Sequence, residues 1–270
     1  MPTQTDTREG VVTAVDTFTK LTGDGAGGTL QDITVPNWAN SIKHIAVTAG
    51  VDDAAVSGNI LVKLTGATRF GDQIIGLGAH MNIGTTVGLA LAPLQQDVDV
   101  PVIPGKALEL YGAYAGGDTG SPELGITVTF SEKSGSHRYV TRQGTLTTVD
   151  VWNTLSTENG TTAVNDHITQ GSKIDQVMLS VGIVPTATEP VAHYARIQGV
   201  GGCLQGNEHT FGAQSYICSA GTIADCALSG NMVYDVDIAC APGTVRVQGV
   251  KSGAASTGVP EMAVTLVYQA

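Results

Sequence analysis

Apolar and polar residues alternate through most of this chain, and the alternation predicts short β-strands. In Asp97-Val98-Asp99-Val100 the carboxylates share one face and the valines the other. Leu108 and Leu110 then flank Glu109, and Ile126, Val128 and Phe130 line one face of a third run. Ile42 to Ala49, Asn59 to Thr65, Ile174 to Val181 and Tyr194 to Gly199 read the same way, although Val191 to Ile197 fits a short helix equally well. Val11 to Leu21 gives the earliest strand-like run.

The pattern occurs twice. Asp97, Val98, Asp99, Pro104 and Gly105 recur as Asp235, Val236, Asp237, Pro242 and Gly243, an offset of 138 residues (97 to 235) that also relates Phe130 to Tyr268. Upstream, Ile42 matches Ile174 and Gly50 matches Gly182 at an offset of 132 (42 to 174), so insertions fall in the intervening loops, where they cost little. In both copies a Pro-Gly pair suits a tight turn, because proline presets φ and glycine accepts φ > 0. The chain is therefore expected to be all-β, two tandem β-sandwich, jelly-roll-like units related by an internal repeat. The expected division is a flexible arm over 1–9, a first sandwich over 10–131, a polar linker over 132–144 (EKSGSHRYVTRQG) and a second sandwich over 145–270. Asn159-Gly160 is a hairpin signal.

Composition narrows the function more than it defines it. Glycine is abundant, with 35 residues in 270, and aromatics are 5%, which suits many turns and short strands. Net charge is −11, which argues against direct nucleic-acid binding, since phosphate contacts need clustered Lys and Arg. No apolar run approaches the roughly 18 residues of a transmembrane helix. MPTQTDTREG lacks a signal-peptide core, so synthesis without export is expected. Cys203, Cys218, Cys226 and Cys240 all lie in the second half; two disulfides and buried free thiols both fit, with free thiols favoured by the unexported reading.

Each candidate constellation has a plainer alternative. Gly23, Gly25 and Gly28 match GxGxxG, but the following Thr29 to Pro36 alternates like a strand instead of opening the helix that a dinucleotide site requires. Asp97/Asp99 and Asp235/Asp237 are a seed for calcium, yet two carboxylates per copy fall short of six to eight oxygens; a solvated strand face is the simpler expectation. Glu208-His209 near Cys203 and Cys218 carries no nucleophile signature. His44, His80 and His193 are isolated, so metal ligation is not expected. Lys133, Arg138 and Arg142 read as solvent-facing. The expectation is no catalytic, cofactor-binding or metal residue, and no enzyme.

A chain of two tandem jelly rolls without a visible active site resembles the double jelly-roll major capsid proteins of tailless icosahedral viruses. The resemblance spans the whole chain and is architectural, with no diagnostic motif. It implies a structural virion protein forming homotrimeric, pseudo-hexagonal capsomers. Its partners would be itself, neighbouring capsomers and other coat proteins, and its place the virion, after synthesis in the host cytoplasm. Ala115 to Pro122 and Ser252 to Pro260 would crown or join the capsomers. The alternative is a tandem binding module, such as a carbohydrate- or receptor-binding spike or a surface-layer protein, although only Trp38 and Trp152 offer indole stacking.

Overall fold

The computed structural model describes residues 2–14, 17–24, 26–50, 57–82, 93–115, 123–155, 167–168, 171–182, 191–205, 208–213, 226–253 and 260–270. The named elements within these stretches are all strands. The first half carries β1 (Thr3–Val11), β2 (Thr19–Lys20), β3 (Ile33–Thr34), β4 (Ser41–Gly50), β5 (Ser57–Thr65), β6 (Gln73–Asn82), β7 (Leu94–Pro101), β8 (Ala107–Ala115) and β9 (Glu123–Ser131). The second carries β10 (His137–Thr145), β11 (Asn153–Thr154), β12 (His167–Ile168), β13 (Lys173–Gly182), β14 (Val191–Val200), β15 (Glu208–Gly212), β16 (Cys226–Gly230), β17 (Met232–Ala239), β18 (Thr244–Gly253) and β19 (Glu261–Gln269).

Each half is a sandwich of two antiparallel sheets with matching strand order. The front sheets run β1-β9-β4-β7 and β10-β19-β13-β17; the back sheets run β2-β8-β5-β6 and β11-β18-β14-β15. Two-residue β3 and β12 add to β8 and β18. The chain crosses between sheets so that its first and last long strands become neighbours, which is the winding of an eight-stranded jelly roll. Even the irregularities correspond: β4 carries a one-residue bulge at Lys43 and β13 one at Asp175. One core joins Ile42, Ile45, Val62, Leu64, Leu110, Val128 and Phe130; the other joins Ile174, Val177, Leu179, Ile197, Val247, Leu266 and Tyr268.

The halves meet back to front. The second front sheet lies across β6 and β5 of the first back sheet, and β16 pairs with the edge strand β6, which covers an otherwise open ladder. Threonines link the layers. The Gly76 N–H donates to Thr265 Oγ1 at 3.0 Å, and Thr141 Oγ1 donates to the Ile74 carbonyl at 2.7 Å. Thr265 and Thr141 lie 2.7 Å apart, so Thr265 donates to Thr141 and the relay returns to β6. Asn59 adds bonds to the Glu261 carbonyl at 3.0 Å and from Ser180 at 2.8 Å. Gly182 lies so close to Gly58 that a Cβ there would sit 2.8 Å from its Cα; the approach needs glycine.

Several expectations change. The arm expected over 1–9 is mostly strand β1, paired along its length with β9; β-branched Thr3, Thr5 and Thr7 suit an edge strand held by ladder bonds more than by an apolar face. The expected linker shrinks to 132–136, because His137–Thr145 is β10 and pairs with β19. Among the described residues of 11–21, Val11 ends β1 and Thr19–Lys20 form β2 with irregular chain between them, and Val191–Val200 is strand, not helix. Gly105 has φ of 72°, as its turn requires, whereas Gly243 is held by proximity: a Cβ there would meet Cys203 Cβ at 2.5 Å. Asn159-Gly160, 116–122 and 254–259 lie outside the described residues.

Candidate functional site at the seam between the halves

A cleft of about 390 Å³ opens where β7 of the first half meets the second front sheet, lined by Asp97, Val98, Asp99, His137, Tyr139, Asp175, Gln176, Asp235 and Val267. Three elements position its polar centre. Alternation along β7 turns Asp99 away from the first core, the end of the linker supplies Ser136, the start of β10 supplies His137, and the β13 bulge projects Asp175. His137 Nδ1 lies 3.0 Å from Asp99 Oδ2, and Nε2 lies 3.0 Å from Asp175 Oδ2. Each ring nitrogen thus faces one carboxylate, to which its N–H donates. Lys43 and the Ser136 hydroxyl and amide also bond Asp99, and Lys173 bonds Asp175 at 2.7 Å. Tyr139 closes the floor by donating an amide bond to Gln73 and accepting one from the Asp99 amide on its phenol.

Burial raises the Asp99 carboxyl, but its bonds from Lys43, Ser136 and His137 outweigh that and leave it below the usual carboxylate range. Asp175 is likewise raised by burial and lowered further by Lys173 and His137. Burial pushes the Tyr139 phenol up. Both acids are therefore ionised at neutral pH, Asp99 against Lys43 and Asp175 against Lys173. The cluster is a charge-paired clasp between the halves.

The paired carboxylates singled out in the sequence are engaged by protein donors. Asp97 meets His44 at 2.9 Å, Asp235 accepts from Gln176 at 2.8 Å, and Asp237 faces Lys173 at 3.2 Å. The expectation that Asp99 is merely solvated is corrected, since it holds the seam. Among the described residues no group of three or more His, Cys, Asp or Glu is arranged to hold a metal ion. Gly23 pairs with Glu9 and Thr29, and Asp24 accepts from the Ala26 and Gly28 amides; no helix follows. Cys203 and Cys240 are free thiols, and burial pushes Cys240 up to about 11; the Cys218 and Cys226 side chains and that of His80 lie outside the described residues. His209 bonds the Gln205 carbonyl, and His193 is buried. Arg138, expected in solvent, stacks on Phe70 at 5.5 Å across the junction. Sequence reasoning missed His137 and Asp175, which lie 38 residues apart and form no local motif. Their signal was the non-apolar residue at the bulge.

These features define a protein of two jelly rolls clasped into one body. No protein-family model matches the chain, and no curated protein does. Among solved structures, the major capsid protein P2 of bacteriophage PM2 is 8% identical with a TM-score of 0.35, over 97% of this chain and 97% of that one. A structure of the Gx strain of infectious bursal disease virus is 12% identical with a TM-score of 0.29, over 99% of this chain and 72% of that one. Peptide:N-glycanase F is 9% identical with a TM-score of 0.37, over 98% and 96%.

Proposed function

We propose that this chain is a structural virion protein, a major capsid protein whose two jelly rolls assemble as a trimer into a pseudo-hexagonal capsomer. The observation that carries the reading is the back-to-front clasping of two jelly rolls of matching strand order. Such a contact is heterologous, and heterologous contacts repeat into rings where the rotation closes. One chain then supplies two neighbouring lobes of a six-lobed ring, and neighbouring capsomers and other coat proteins are its further partners. The reading includes no catalysis; in its support, both His137 nitrogens are committed to carboxylates. Light scattering followed by negative-stain imaging tests it. A stable trimer with a six-lobed outline, or closed shells, is expected. A monomer at every concentration overturns it and favours the tandem binding module.

A further inference from the structure

We infer that the outer face of the second back sheet docks on the outer face of the first front sheet of another copy, repeating between chains the contact made within one. The inference rests on the assembly reading above and names its surfaces.

The ladders give the correspondence. In the first back sheet Leu61 pairs with Gly76 and Ala113, and Lys63 pairs with Ile74 and Tyr111. In the second, Tyr194 pairs with Gly212 and Val250, and Arg196 pairs with Thr210 and Gln248. Tyr194 thus stands where Leu61 stands, and Gly212 where Gly76 stands. The ring contacts agree: Lys63 lies over Phe18 at 5.9 Å, and Arg196 over Trp152 at 4.3 Å. Leu61 is 0% exposed beneath Ala263, whereas its counterpart Tyr194 is 39% exposed.

The receiving face is duplicated too. Thr141 and Thr265, which close the relay within the chain, correspond to Thr7 and Thr127, whose hydroxyls lie 2.8 Å apart on the first front sheet. There the pair faces outward, with Thr7 exposed. Docking a second copy would place the Gly212 amide on Thr127 and Thr7 on the Thr210 carbonyl, as Gly76 and Ile74 are placed here. Charge is complementary at the rim. Asp237 corresponds to Asp99 and is 83% exposed at its side chain, and the bulge residue facing it in the next copy is Lys43 where the internal seam has Asp175. Small Thr3 occupies the place of His137, and Lys43, which already holds Asp99 of its own chain, would bridge to Asp237 as Lys173 does within the chain.

Cysteine pairing between two variants tests the contact. Thr127→Cys and Gly212→Cys chains are oxidised separately and as a mixture, beside the parent as the control for native thiols. A disulfide-linked dimer from the mixture alone is expected, with the double variant closing into a covalent ring. Assembly without that cross-link overturns the inference and leaves the shell reading standing, as does cross-linking of either single variant to itself. A monomer at every concentration overturns both. Tyr194→Glu supplies a second readout: at least ten-fold weaker assembly with an unchanged monomer melting temperature. Assembly at parental strength by that variant overturns the contact.

Discussion

Strands β9 and β19 hold the same place in the two halves and differ in what lies on their second face. In β9, Leu124, Ile126, Val128 and Phe130 are buried while the alternate positions are half-buried. In β19 every residue from Met262 to Tyr268 is buried. The inward residues are apolar in both. The outward ones change little, from Gly125, Thr127 and Thr129 to Ala263, Thr265 and Val267. A sheet face thus becomes an interior layer with few substitutions when threonine supplies a methyl for packing and a hydroxyl for a cross-layer bond. Strands buried on both faces normally read as continuous apolar runs; β19 nearly does, with Thr265 the exception because the relay satisfies it.

The sharpest break in the comparison is a charge at equivalent positions. Thr265→Asp buries a carboxylate between layers, and the chain should lose several kcal/mol, of the order seen when a buried charge is uncompensated. Thr127→Asp should leave the monomer melting temperature within the range of surface changes, about 0.5 kcal/mol. Paired thermal melts decide it; equal losses would mean the two faces are equivalently buried.

The clasp gives the next largest difference. His137→Ala leaves Asp99 and Asp175 without their shared donor and should cost about 2 kcal/mol, as for hydrogen bonds to charged groups, while the counterpart Thr3→Ala should cost almost nothing. Both carboxyls lie below their unfolded value near 3.8, so their contribution is complete above that value. It is lost as pH falls through the folded pKa. Acid titration of the parent should therefore show a loss of stability below about pH 4 that the Asp99→Asn, Asp175→Asn variant largely lacks; superimposable curves would remove the clasp from the account.

Smaller still is the relay. Thr141→Val removes the donor to the Ile74 carbonyl inside the interface and should cost about 1 to 2 kcal/mol, against a few tenths for Thr7→Val on the open face. Denaturant midpoints at constant slope report both.

Much of this organisation was legible in the alternation. The inward valines, leucines and isoleucines marked β4, β5, β7, β8 and β9 and their counterparts, and the recurring Asp-Val-Asp and Pro-Gly pairs placed the repeat. β1 and β10 were not legible, for one physical reason. TQTDTREG and HRYVTRQG have few apolar residues because β1 is an edge and β10 faces the polar interface, so ladder bonds and cross-layer bonds do the work that apolar burial does elsewhere. The seam was hidden for another reason. Asp99, His137 and Asp175 come from three distant strands, and only the fold brings each carboxylate to 3.0 Å from a ring nitrogen of His137.

Gln143 supplies the finest test of the difference between the faces. It is 1% exposed on the interface side of β10, and neither amide atom has a hydrogen-bond partner. Its counterpart on β1 is Glu9, which is half-buried beside Gly23. A buried amide without partners costs more than an apolar group of similar shape. Gln143→Met should therefore raise stability by about 1 kcal/mol, whereas Glu9→Met should leave the isolated chain unchanged within about 0.5 kcal/mol. A destabilised Gln143→Met chain would show that the amide does hold a bond across the layers, and the polar interface would then extend one strand position beyond the threonine relay.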